Sequence, residues 1–197
     1  MALQFDAESH TYTLDGATLP GVTTVIEEAA QSMRFVPEGV LIPAQWRGTV
    51  VHKATELFDF DMLDWDTLDA DLHGYIHSWE KFVSRTKLEI DYMEQSLYHP
   101  KYLYAGTMDR AGSLTWKRRR RNAVIDLKTG VPVKGTAMQT AAYQRAIKDL
   151  HGEDYKTRLG VYLKPDGGEP EVVEYTEAGD FNMFLAMLKI YRWKENK

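Results

Sequence analysis

The sequence predicts an α/β fold, a central mixed β-sheet flanked by helices, with a helical elaboration on its N-terminal side. Two observations carry this expectation. Strand-like runs at 88–97, 102–115, 123–128, 158–164 and 171–175 are interleaved with helical patterns at 68–85 and 137–150. No repeat, low-complexity tract or linker divides the chain, so residues 1–197 read as a single domain.

Taken in order, His10 to Leu14 alternates toward a strand, and Asp15-Gly16 supplies a hairpin turn before Thr18 and Leu19. After Pro20-Gly21, Val22 to Ala30 reads as a short helix. Pro37 and Pro43 punctuate a loop, and Pro43 suits the first turn of a helix running to about Phe58. A second helix covers about Leu68 to Arg85. Leu88 to Leu97 and Tyr102 to Thr115 look like long strands. Ala123 to Lys128 (AVIDLK) is another, with Ala123, Ile125 and Leu127 on one face. Gly130 to Gly135 forms a loop before a helix from about Ala137 to Leu150. Arg158 to Lys164 and Glu171 to Tyr175 flank Pro165-Asp166-Gly167-Gly168 as a hairpin. The last element is a helix from about Asp180 to Lys194.

Composition narrows the chemistry. At 44% hydrophobic and 27% charged, a chain of 197 residues buries a sizeable core without staples. It has no cysteine, which excludes a disulfide scaffold, a thiolate zinc site, an iron–sulfur cluster and a cysteine nucleophile. No uncharged run approaches the ~18 residues of a membrane span. The opening MALQFDAESH has neither a secretory nor a transit pattern, so a cytoplasmic location without a membrane partner is expected.

The net charge of −5 argues against a nucleic-acid partner only until its distribution is read. Glu56, Asp59, Asp61, Asp64, Asp66, Asp69 and Asp71 are seven acids in a stretch without Lys or Arg. The rest of the chain is slightly basic, and Lys117 to Arg121 is a dense cationic run. That run falls at a hairpin tip. It can grip phosphates or stand as a solvated turn, and Trp116 beside it can stack on a base or anchor the hairpin. The acidic stretch would repel DNA if it lay on a DNA track.

The chemistry concentrates on the hairpin from Tyr104 to Lys128. A turn centred between Lys117 and Arg118 sets Asp109 opposite Asp126 on neighbouring antiparallel strands. Like charges so placed destabilise a sheet unless a hard divalent cation shares their oxygens. Lys128, two residues on, shares the face of Asp126. An ammonium beside a metal–carboxylate pair suits phosphodiester hydrolysis. The bland alternative is a surface hairpin with Asp126 and Lys128 in solvent. Gly48 and His52 are i and i+4 on one helical face; the glycine would let another backbone approach and the imidazole reach a shared site, or both are incidental. Gln139 and Tyr143 repeat that spacing, offering an amide and a phenol to substrate or burying the tyrosine in an amphipathic helix. His73 and His77 share it too, but lack a third ligand and read as a solvated face.

Gly48-x-x-x-His52, Gly106-Thr107-Met108-Asp109, Ile125-Asp126-Leu127-Lys128-Thr129-Gly130 and Gln139-x-x-x-Tyr143, in this order, resemble the RecB-like, phage-type exonuclease branch of the PD-(D/E)XK nucleases. Leu19 to Ile26 (LPGVTTVI) is similar to the segment that opens many phage-type members, and the likeness spans roughly residues 10–145. The resemblance implies a restriction-endonuclease-like core at about 88–164, with 43–85 as a helical arch or lid. It implies a magnesium-dependent DNA exonuclease of phage or bacterial recombination, replication or repair, with manganese substituting. Asp109, Asp126 and the Leu127 carbonyl would be metal ligands, His52 a further ligand or its neighbour, and Glu94 a weaker one. Lys128 would be the catalytic lysine. Gln139 and Tyr143 would line the DNA or brace the lysine; Thr129 and Arg47, and from the basic run Arg118, Arg119, Arg120 and Arg121, are the further candidates for substrate contact. A single-strand annealing or single-strand-binding protein is the partner class, in a bacterial or phage-infected cell. An endonuclease, a non-catalytic DNA-binding adaptor and an RNA-processing enzyme stay open as alternatives.

Overall fold

The structure, a computed structural model, describes residues 2–31 and 38–195, the side chains of 30, 31 and 38–45 apart; Pro37 lies outside the described residues. The elements are β1 (Leu3–Asp6), β2 (Thr11–Leu14), β3 (Ala17–Leu19), α1 (Val22–Gln31), α2 (Glu38–Asp59), α3 (Ala70–Thr86), β4 (Glu89–Tyr98), β5 (Ala105–Trp116), β6 (Arg119–Lys128), α4 (Lys134–His151), β7 (Thr157–Tyr162), β8 (Glu171–Glu174) and α5 (Asp180–Glu195). β4-β5-β6-β7-β8 form a mixed sheet in which only the β6–β7 pair is parallel, and β1-β2-β3 form a small antiparallel sheet.

The α/β architecture is the expected one. Alternation along β6 explains the layering: Ala123, Ile125 and Leu127 join a core with Val51 and Ala54 of α2 and Tyr75, Ile76, Trp79 and Phe82 of α3. Val124 points the other way, into a core with Val22 and Val25 of α1, Ala142 and Tyr143 of α4, and Phe184 and Leu188 of α5. Helices therefore cover both faces, and a strand so enclosed reads as a nearly continuous apolar run.

α3, β5 and α4 begin two to three residues from their expected starts, and three larger differences have a physical reason. α2 starts at Glu38, so Pro43 stands inside the helix rather than in its first turn, where it has no N–H for the carbonyl of residue 39. β6 starts at Arg119, because the basic run continues the hairpin. Its two-residue turn places Lys117 and Arg118 at φ 48° and 65°, the positive values that such a turn needs to follow the strand twist. β1 has no clear alternation in LQFD, and it forms by pairing with β2. α3 is capped as its sequence suggests, with the Asp69 carboxylate accepting from the Asp71 N–H.

Candidate metal centre

The hairpin register places every side chain of the site. Trp116 pairs with Arg119 and Arg110 with Ile125, which centres the turn between Lys117 and Arg118. The ladder stops there, one pair short of Asp109 and Asp126. The strands part because the Leu127 N–H is taken by Asp109 Oδ2 at 2.7 Å in place of a backbone carbonyl. The expected direct pair of Asp109 and Asp126 is thus replaced by a splayed strand end with a carboxylate wedged into it.

Into this opening comes His52 from α2. Its Nε2 lies 3.0 Å from the Leu127 carbonyl oxygen. A carbonyl only accepts, so Nε2 carries the hydrogen. Nδ1 then faces Asp109 Oδ1 at 3.6 Å and Glu94 Oε1 at 3.9 Å. Glu94 sits on β4 between the Met93–Arg110 and Gln95–Met108 pairs, at φ 47°. A non-glycine residue in that region is strained backbone of the kind concentrated at functional sites. One ligand atom from each of His52, Glu94 and Asp109 lies within 4.8 Å of the others. His52 Nδ1 and the two carboxylates thus turn their ligand atoms toward one another.

Asp126 is 1% exposed, and neither of its carboxylate oxygens receives a well-directed hydrogen bond among the described residues. Lys128 Nζ lies 2.6 Å from its Oδ2. Burial pushes the Asp126 carboxyl up to about 6, aided by the Asp109 charge and opposed by Lys128. Burial likewise pushes Glu94 up to about 7, with Asp109 adding to it and Arg110 opposing. For Lys128 burial works against the ammonium, but Asp126 and Asp109 outweigh it and hold the pKa above its ordinary value. Lys128 is therefore a fixed cation near neutrality.

A fully buried guanidinium backs the cluster. Arg110 donates from Nε to Asp59 Oδ2 at 2.8 Å, and from a terminal nitrogen to Glu94 Oε1 at 2.9 Å and the Asp109 carbonyl at 2.7 Å. Asp59 also accepts from the Trp79 indole at 2.8 Å. Sequence reading missed this pair. The available signal was a lone arginine inside a long strand, on the opposite parity to Asp109.

The other sequence candidates divide. Tyr143 is buried at the site's edge, and its ring lies so close to Gly106 that a Cβ there would sit 2.7 Å from Cε1. Gln139 Nε2 reaches the Tyr143 hydroxyl only at 3.5 Å. Thr129 follows Lys128 and is half-buried. Arg47 is half-buried one turn before His52, and its Nε is enclosed without a hydrogen-bond partner among the described residues. Among the described residues nothing outside its own helix turn lies within 4 Å of a Cβ built on Gly48, so the expected approach of another backbone is not seen there. Arg118 to Arg121 sit at the hairpin tip, roughly 20–25 Å along the strand from Asp126. Arg120 is bound to Glu89 and the Lys87 carbonyl, while Arg121 and Lys117 share Glu174. Trp116 donates to Glu174 at 2.9 Å, as a hairpin anchor does. His73 and His77 pack on Trp65, with ring centroids 5.3 and 4.8 Å away.

No helix among the described residues is long and apolar enough to cross a membrane. Compared with protein-family models the chain matches none, and a search of curated proteins returns no match.

Proposed function

We propose that the chain is a metal-dependent deoxyribonuclease of the RecB-like PD-(D/E)XK type, hydrolysing phosphodiester bonds. The observation that carries this reading is the convergence of His52 Nδ1, Glu94 and Asp109 beside a buried Asp126–Lys128 pair.

The donor set fits a hard divalent cation. Three carboxylates are the oxygen ligands magnesium takes, and Oδ1 of the buried Asp126 has no hydrogen bond among the described residues. Glu94, Asp109 and Asp126 would hold the ion, with His52 Nδ1 favouring tolerance of manganese, while the Leu127 carbonyl, on the Nε2 side of that ring, orients the imidazole rather than the ion. When bound, such an ion polarises a phosphoryl oxygen and lowers the pKa of water. The chain's own groups do the rest. Lys128, held cationic, donates hydrogen bonds to an attacking water or to the phosphoryl oxygens and offsets the charge that develops on them. It does not act as the base. His52 is fixed by Leu127, so its ring keeps one orientation through turnover. Arg110 holds Glu94 in place from behind. The resemblance favours an exonuclease over an endonuclease.

The test is cleavage of end-labelled linear and circular DNA with Mg²⁺, Mn²⁺ or EDTA. Asp126→Ala is expected to abolish cleavage while leaving DNA binding nearly intact. Loss of linear DNA with circles intact identifies an exonuclease and nicked circles an endonuclease. Cleavage that survives Asp126→Ala or EDTA would refute the metal assignment.

A further inference from the structure

The small N-terminal sheet carries an aromatic cluster that the hydrolytic site does not use. Phe5 and Tyr12 are cross-strand partners on β1 and β2, and their rings stack with centroids 4.6 Å apart at 24°. The His10 ring stands edge-on to both, 5.2 Å from Phe5 and 6.1 Å from Tyr12. Tyr12 is buried at 3% exposure, whereas Phe5 is 37% exposed and His10 is exposed. A solvent-facing phenyl ring on a short edge strand invites a search for what covers it.

Its position relative to the carboxylates is fixed twice over. The Tyr12 hydroxyl lies 2.9 Å from Thr107 Oγ1, which in turn is 3.0 Å from Ser96 Oγ. Thr107 is two residues before Asp109 on β5, so the two share a face about 7 Å apart. From the other side, Glu27 of α1 is close enough to both His10 and Lys128 to feel each charge. The stack thus starts beside the carboxylates at Tyr12 and runs outward through Phe5 and His10.

We infer that Phe5 and His10, backed by Tyr12, form a stacking platform for an unpaired nucleobase of the substrate strand. This rests on the nuclease reading above and narrows its substrate class to DNA that presents unpaired nucleotides at the site. Aromatic side chains accept any base because every base has a π-face, whereas a base inside a duplex has both faces covered by its neighbours. A duplex end would have to fray to use the platform. Two acids share this turn: Asp6, exposed, is tied to its own loop by accepting the Glu8 and Ser9 N–H groups at 2.9 and 3.3 Å, and the Glu8 side chain is exposed beside it.

The experiment uses the full chain carrying Asp126→Ala, so that DNA is bound without being cut. The probes are a single-stranded oligonucleotide with a terminal 2-aminopurine and a blunt duplex of the same sequence, in Mg²⁺. Stacking quenches 2-aminopurine. Phe5→Leu, which keeps an apolar side chain without the ring, should weaken single-strand binding roughly tenfold and remove the quench, since a stacked base is worth ~1–3 kcal/mol. Phe5→Trp should restore both, and duplex affinity should change by less than about twofold. His10→Ala, a surface change that leaves β1 intact, should weaken single-strand binding in the same direction. Unchanged affinity and quench in Phe5→Leu and His10→Ala, or equal weakening on the duplex, would overturn the platform alone if the parent chain still cleaves DNA. A parent chain that neither binds nor cleaves DNA would overturn both readings.

Discussion

Glu94→Gln separates the cost of gathering acids in the absence of metal from the gain of binding a cation. Glu94 lies 29% exposed beside Asp109, and its pKa rises from an ordinary 4.5 to about 7. A group whose folded pKa exceeds its unfolded value binds more protons when folded, so its contribution is fully present below about pH 4.5 and lost as pH rises through about 7. At ~1.4 kcal/mol per pH unit that loss is about 3 kcal/mol, less whatever solvent screens at a partly exposed carboxyl. For a chain of this size each kcal/mol moves Tm by about 2–4 °C. In EDTA the parent should therefore melt about 5–10 °C lower at pH 8 than Glu94→Gln, while the two converge near pH 4.5. Glutamine keeps an oxygen to accept from Arg110, so the variant removes the charge and little else. With Mg²⁺ the order should reverse at pH 8, because a cation that binds only the folded state stabilises it and needs ionised ligands. Thermal melts at several pH values in EDTA and in Mg²⁺ make the comparison. In EDTA, parallel pH dependences or a Glu94→Gln chain less stable than the parent at pH 8 would show that Glu94 is not held under this strain.

Two further substitutions test the scaffold. Arg110→Met leaves Asp59 and Glu94 as buried or half-buried anions without their cation, and breaking such a pair costs about 3–5 kcal/mol, measurable by urea unfolding. Gly48→Ala fills open space in a helix interior and should stabilise by up to ~1 kcal/mol, raising Tm. If cleavage falls while Tm rises, the space beside Gly48 belongs to the substrate.

The fold was legible where pattern and burial agree. The Ala123 to Lys128 strand and the helix that follows it emerged from alternation and periodicity, because each face of β6 meets a different core, while the hairpin register followed only once its turn was set between Lys117 and Arg118, where the structure has it. The site was legible as residues and less so as geometry. Counting along the hairpin set Asp109 opposite Asp126, yet counting cannot foresee that a carboxylate replaces a carbonyl at Leu127 and opens the ladder. Glu94 had the weakest sequence claim among the acids, since nothing local marks its left-handed backbone, and it is one of the three residues whose ligand atoms converge. Asp59 was read as one more charge in a repulsive acidic stretch. Its burial against Arg110 and Trp79 depends on residues 51 and 20 positions away, which no local pattern reports.

That tertiary pair also bears on how the molecule tolerates its own site. Asp59, Glu94, Asp109 and Asp126 are four acids in one neighbourhood, answered by two cations: Arg110 paired with Asp59 and Glu94, and Lys128 paired with Asp126. Counted over these carboxylates, the guanidinium and the ammonium, the local charge is −2. Glu56, the next acid that Glu94 feels, is already tied to Lys53 at 2.7 Å. Arg110 cannot discharge the cluster further, because it already serves Asp59 and Glu94 and its remaining bonds go to the Asp109 carbonyl and, more weakly, to Thr55. Two routes remain to neutrality. Protons can supply it, which is what the upward displacement of Glu94 and Asp126 expresses. A single divalent cation supplies the same two charges at once and leaves the carboxylates ionised at neutral pH. The charge left over by the fold is that of the ion its oxygen donors suit.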